Sequence, residues 1–205
     1  RAFQLLVEIG DMSIMRDMAA TTNMIAAGEV LQLVRAGNPD TTKEQYLDVV
    51  SRKTAILFAS ACFGASALTD NAGQLGQPLR DFGMNIGIAF QITDDVLDYE
   101  GDAAAMGKNV GDDLSEGKAT LPLIHVLEQG SATQKAIVAD AIRNKDASSI
   151  AEVLTAIRAA GSLDYAREVA RDYQQTALAA LAKLPANRYR DSMAAIAALS
   201  IERNH

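Results

Sequence analysis

Cysteine is almost absent: Cys62 is the only one, and it sits in an apolar run. No intramolecular disulfide can form, and a lone thiol in greasy surroundings suits a reducing compartment, so a cytoplasmic location is expected. No run of about 18 apolar residues occurs, which excludes a membrane-spanning helix. No secretory signal is visible at the N-terminus, and the chain begins at Arg1 rather than Met, as a fragment or a processed chain would. Internal repeats, low-complexity linkers and convincing strands are also missing. Bases are too few for a nucleic-acid partner: 19 Lys and Arg stand against 26 Asp and Glu, a net charge of −7.

The 205 residues suffice for one domain with a sizeable core, and with 49% hydrophobic residues disorder is not the default. The acidity is local. Residues 94–118 hold eight acids and two lysines, which is −6 of the −7. A cation site would look like this, and so would an acidic surface loop.

Helix follows helix. A long Ala/Met/Leu-rich segment runs from about Met12 to Val34 and stops at Gly37 and Pro39. Thr42 with Gln45, or Thr41 with Glu44, offers a capping box for a helix from about Lys43 to Leu68. Residues 69–77 read as a loop, and Pro78 suits the first turn of a helix reaching about Tyr99. The glycine-rich, polar stretch 100–119 reads as a long functional loop. Thr120 can cap a short helix to about Gln129 with Pro122 in its first turn. Helices at about 132–144, 148–160, 162–183 and 188–202 complete an all-α bundle. The apolar helices at 12–34 and 43–68 suit either a deep core or an interface.

The chain is organised around Phe90-Gln91-Ile92-Thr93-Asp94-Asp95-Val96-Leu97-Asp98. At about 100° per residue, Asp94, Asp98, Gln91, Asp95 and Phe90 share one face, and Ile88, Ile92 and Val96 the other. Three like charges at helical spacing repel, so either water or a hard cation must offset them. Mg²⁺ takes oxygen ligands, keeps several waters and bridges carboxylates to phosphates.

Lys53 falls amid Tyr46, Val49, Val50, Ile56 and Leu57 on its helix, the middle of an apolar stripe. A buried ammonium needs a partner. That partner is a core acid, an edge reached by snorkelling, or an anion in a cavity; Thr54 beside it offers a hydroxyl. Glu29 sits on a similar face, with Gln32 a turn on. Lys108 and Lys118, the cations of the acidic stretch, each follow a glycine and either compensate charge or reach a phosphate. His125 and His205 read as structural or incidental.

The runs Gly87–Tyr99 and Gly107–Leu123 resemble the second aspartate-rich region of the trans-isoprenyl (polyprenyl) diphosphate synthases, of the bacterial long-chain type. Gly28-Glu29-Val30-Leu31-Gln32-Leu33 and Lys53-Thr54 resemble family elements upstream, in the same order. The resemblance implies an isoprenoid-synthase-type all-α bundle around a central cavity. It implies head-to-tail condensation of an allylic diphosphate with isopentenyl diphosphate, and a homodimer. Asp94, Asp95 and Asp98 would hold Mg²⁺ on the allylic diphosphate, and Lys53 and Lys108 would contact that diphosphate. Phe90, Gln91 and Thr54 would line the reacting region, Lys118 would close the loop nearby, and Gln32 is a further candidate. A terpene cyclase-like enzyme and a non-catalytic regulatory or dimerising homologue are the alternatives.

The family carries a first aspartate-rich motif followed by arginines, expected upstream of Arg1. Asp112-Asp113 is the only other Asp pair, and it lacks that spacing and those arginines. Residues 1–205 are therefore expected to form the C-terminal portion of a single synthase domain, N-terminally truncated, without turnover by themselves.

Overall fold

The computed structural model describes residues 1–69, 72–100, 110–145 and 147–202. Among them every regular element is helical. In order these are α1 (Ala2–Ile9), α2 (Met12–Arg35), α3 (Lys43–Val50), a π turn (Ser51–Ala55), α4 (Ile56–Ala67), α5 (Ala72–Glu100), α6 (Asp112–Ser115), α7 (Leu121–Gln129), α8 (Ala132–Asn144), a 3₁₀ turn (Ala147–Ser149), α9 (Ile150–Ala159), α10 (Ser162–Leu181) and α11 (Arg188–Ile201).

α5 is the axis. It packs along α4 on one side and α10 on the other, and also meets the π turn, α11 and α7. Its apolar side, Ile88, Ile92 and Val96, joins Tyr46, Val50, Leu121, Ile124 and Val169 in one core cluster. Phe82, Ile86 and Ala89 join Ala177, Leu181 and Ala197 in a second. A third cluster knits α7, α8 and α9 around Leu123, Val126, Val138, Ile142, Val153 and Ile157. Close approach is built in by missing side chains. A Cβ on Gly83 would lie 2.4 Å from the Phe58 carbonyl oxygen, so α5 and α4 touch backbone to backbone there.

Of the two capping boxes the sequence allows, Thr42 with Gln45 forms: Thr42 Oγ1 accepts from the Gln45 N–H and Gln45 Oε1 accepts from the Thr42 N–H. Three expectations are corrected. The loop foreseen at 69–77 is shorter, because α5 starts at Ala72 and Pro78 lies inside it rather than in its first turn; six residues precede the proline, so one interior hydrogen bond is missing instead of the helix ending. α1, eight apolar-rich residues capped at the C-terminal end by left-handed Gly10, was not anticipated. The stretch 100–119 is not loop throughout, since α6 lies within it; residues 101–109, with Lys108, are outside the described residues, as is His205.

α2 does not form a deep core. Its buried residues are Ile14, Thr21 and Gly28, whereas Met24, Val30, Leu33 and Val34 are exposed. Phe3, Leu5, Val7 and Ile9 of α1 are exposed beside it.

Candidate active site

Three helices bring polar side chains to one pocket of about 610 Å³, counting the solvent at its mouth. α2 contributes Gln32 and Arg35. The rod formed by α3 and the π turn contributes Tyr46, Val49, Val50, Lys53 and Thr54. α5 contributes Gln91 and Asp95, and the segment around α6 adds Asp113, Lys118 and Thr120.

Lys53 and Thr54, consecutive residues of the π turn, both reach this pocket. Neighbours on an α-helix point about 100° apart. A π turn inserts an extra residue into the helix, and such bulges recur at functional sites. The slip also rotates the residues beyond it. Leu57, which an unbroken helix would place on the Lys53 stripe, is 46% exposed instead. The Lys53 ammonium lies 3.1 Å from Glu29 Oε1 and donates to Gln32 Oε1 at 3.1 Å. Glu29 is half-exposed, so Lys53 has a surface acid as partner and opens onto the pocket rather than being sealed in the core.

Across the pocket runs a hydrogen-bonded chain. Thr54 Oγ1 donates to Gln91 Oε1 at 2.9 Å, and Gln91 Nε2 donates to Asp95 Oδ1 at 2.8 Å. Tyr46 Oη donates to Asp95 Oδ2 at 2.6 Å. Both carboxylate oxygens of Asp95 are thus held in a site where the residue is 4% exposed. Burial pushes Asp95 up to about 8, helped by the neighbouring charges of Asp113 and Asp94; the bonds from Tyr46 and Gln91 pull the other way.

One turn on, Asp98 accepts the Asp113 N–H at 3.3 Å. Burial, then Asp113 and Asp112, raise its carboxyl to about 6. The Lys118 ammonium lies 2.7 Å from both Asp113 and Glu116. Burial works against its charge, but those two carboxylates outweigh it and hold the lysine protonated. The backbone before Lys118 is anchored. Gly37 N–H donates to the Gly117 carbonyl at 2.8 Å, both glycines have positive φ, and a Cβ on Gly117 would come within 2.9 Å of Gly37 N and of Lys145 Cγ.

With this geometry established, likeness to known proteins is informative. The Polyprenyl synthetase family matches residues 1–160. The chain belongs to that family. It is 41% identical to the octaprenyl diphosphate synthase of Haemophilus influenzae, over all of this chain and 63% of that one. It is 40% identical to the all-trans-nonaprenyl-diphosphate synthase (geranyl-diphosphate specific) of Rhodobacter capsulatus, over 99% of this chain and 62% of that one. The structure of the polyprenyl synthase from Caulobacter crescentus CB15, complexed with calcium and isoprenyl diphosphate, superposes with a TM-score of 0.91 at 38% identity, covering all of this chain and 63% of that one. The chain therefore spans just under two thirds of the length of these relatives, and its all-α architecture is that of polyprenyl synthases.

Within this polyprenyl synthetase fold the residues singled out from the sequence divide into groups. Gln32, Lys53, Thr54, Gln91, Asp95 and Lys118 share the pocket. Asp94 and Asp98 do not line it, although Asp98 joins it through Asp113. Phe90 faces Phe58, ring centroids 5.4 Å apart, outside the pocket wall. Lys108 lies outside the described residues. Tyr46, Arg35 and Asp113 were not singled out as site residues. Tyr46 had a signal, since it falls about 20° from Lys53 on the helix. Asp113 was considered only as a possible first motif, and nothing in its local pattern foretold the turn toward Asp95 and Asp98.

Oxygen chemistry here suits a hard divalent cation. Asp95 and Asp98 are carboxylates whose charge is disfavoured by burial and by neighbouring Asp113, the condition a cation relieves. Among the described residues no three acidic, histidine or cysteine side chains converge as a metal cage. Mg²⁺ does not require one, because it commonly takes one or two carboxylates and fills its shell with water and phosphate oxygens.

Proposed function

We propose that this chain supplies the allylic-diphosphate half of a polyprenyl diphosphate synthase active site, the enzyme that extends an allylic prenyl diphosphate with isopentenyl diphosphate, head to tail, to a longer all-trans product. The observation that carries the reading is the pocket itself, where Lys53 and Thr54 on one wall meet Gln91, Asp95 and Asp113 on the other. Asp94, Asp95 and Asp98 are the residues to hold Mg²⁺, which when bound neutralises the departing diphosphate. Lys53 and Lys118 bring positive charge to the same pocket, and Lys108 is read as a third cation for the diphosphate. Such preorganised charge favours the transition state, in which the allylic C–O bond has broken and the diphosphate has gained charge. Thr54 and Gln91 border the reacting carbon, Phe90 packs against Phe58 outside that wall, Gln32 orients Lys53, and apolar neighbours keep water from trapping the carbocation.

Residues 1–205 are read as part of one synthase domain that assembles as a homodimer; the exposed apolar faces of α1 and α2 support an interface. A cytoplasmic site fits the single half-buried cysteine. Among the described residues no helix is long and apolar enough to cross a membrane.

The test has two arms. Titration of the 205-residue chain with inorganic pyrophosphate in Mg²⁺, followed calorimetrically, should show binding that Lys53→Met weakens about tenfold, the loss of one charge-assisted contact. With farnesyl and isopentenyl diphosphates the same chain should give no elongation, since it holds a single D-D-x-x-D run and no arginine-flanked partner. No pyrophosphate binding, or clear elongation, would overturn the respective half of the reading.

A further inference from the structure

The π turn is gripped from both sides. A Cβ on Gly28 of α2 would lie 2.8 Å from the Lys53 amide nitrogen and 3.0 Å from Arg52 Cβ. A Cβ on Gly87 of α5 would lie 2.6 Å from Ala55 Cα, and Ala55 is fully buried. Distances under 3 Å to backbone leave no room for a methyl group without moving a helix. The two glycines thus let α2 and α5 seat directly on the backbone of the π turn.

Each glycine stands four residues before an amide that grips the turn. Gln32, one turn beyond Gly28, accepts from the Lys53 ammonium. Gln91, one turn beyond Gly87, accepts from the Thr54 hydroxyl and passes the chain on to Asp95. Residues four apart lie on the same helix face, so the depth at which the glycine seats sets the reach of the amide. Lys53 and Thr54 are consecutive, yet each is held by a different helix through the same glycine-then-glutamine spacing.

We propose that Gly28 and Gly87 are positioning residues of this pocket, clamping the π turn so that Gln32 fixes Lys53 and Gln91 fixes Thr54. Neither glycine touches a ligand; each acts through the helix it sits on. The inference deepens the reading of the pocket given above and rests on it for the ligand, a metal-bound diphosphate.

The experiment uses the 205-residue chain. Gly28→Ala and Gly87→Ala are compared with Gly64→Ala, a helical glycine whose added Cβ would meet nothing closer than Ile14 Cγ2 at 3.7 Å. Pyrophosphate affinity in Mg²⁺ is read by calorimetry and stability by thermal melting. Gly28→Ala and Gly87→Ala should each weaken pyrophosphate binding at least about tenfold, because misplacement on the scale of an ångström suffices for such losses. Gly64→Ala should leave it unchanged.

A second pair of variants reads the clamp without any ligand. Removing Arg52 takes the extra residue out of the π turn and lets the rod continue as plain α-helix with both flanks in phase. That chain should keep its helical circular dichroism and lose pyrophosphate affinity. It should also lose less melting temperature to Gly28→Ala than the parent does, because the Arg52 atoms that alanine would strike have gone and the Lys53 amide nitrogen is released from the π turn. Should Gly28→Ala alone not fold, recovery of folding on removing Arg52 supports the clamp and failure to recover overturns it. Parental pyrophosphate affinity in Gly28→Ala and Gly87→Ala overturns the inference. So does an equal loss of melting temperature from Gly28→Ala with and without Arg52, or a chain lacking Arg52 that does not fold. A parent chain that binds no pyrophosphate sinks the functional reading alone, and the melting temperatures then decide the clamp.

Discussion

Asp98→Asn isolates the electrostatic load carried by the aspartate-rich helix end. The amide keeps an oxygen for the Asp113 N–H and removes the charge. Asp98 is held at about 6, against an ordinary 3.8, by burial and the nearby Asp113 and Asp112. In the unfolded chain it ionises near its ordinary value, so between about pH 4 and pH 6 the folded state binds more protons, and stability falls as pH rises through that window. At about 1.4 kcal/mol per pH unit the full penalty reaches about 3 kcal/mol. Asp98 is only half-buried, and screening by water reduces this to about 1–2 kcal/mol. Without divalent metal at pH 8, Asp98→Asn should therefore raise the melting temperature by about 2–8 °C for a chain of this length. At pH 4 the two chains should melt together. Adding Mg²⁺ at pH 8 should stabilise the parent more than the variant, narrowing the gap. Scanning calorimetry across this pH series checks all three outcomes. An Asp98→Asn chain less stable than the parent at pH 8, or a gap that does not change between pH 4 and pH 8, would refute the reasoning.

Tyr46→Phe leaves one oxygen of buried Asp95 without its donor and should destabilise by about 1–3 kcal/mol. Because Asp95 ionises near 8, urea unfolding should show the larger loss at pH 9 and the smaller at pH 6. Asp17→Ala removes the carboxylate that α2 offers to Arg80 of α5 and, at 2.5 Å, to Ser60 of α4. The stranded guanidinium should lower stability by about 3 kcal/mol, seen as an earlier urea midpoint with pyrophosphate affinity retained.

The helical wheel carried much of the architecture. On α5 it separated Ile88, Ile92 and Val96, which are in the core, from Gln91 and Asp95, which face the pocket. It could not say what lies across from a face. Tyr46 and Asp95 are 49 residues apart, and Thr54 and Gln91 are 37 apart; such pairings are made by packing and leave no trace in local periodicity. The wheel failed outright at Leu57, because it assumes a constant pitch and the π turn just before that residue breaks it. Pro78 misled for a related reason. Proline marks helix starts statistically, yet here the helix already begins at Ala72 and runs on through it. The short helix at Asp112–Ser115 was hidden by its glycine-rich flanks, which read as loop.

The bond between Gly37 and Gly117 has a mechanical consequence. It hitches the strap that bears Lys118 to the turn that follows α2, whose own last turn carries Gln32 and with it Lys53. Two cations from distant parts of the chain therefore ride on a common mount. Tilting the end of α2 shifts both together, so their spacing survives breathing of the bundle better than two independently tethered side chains would allow.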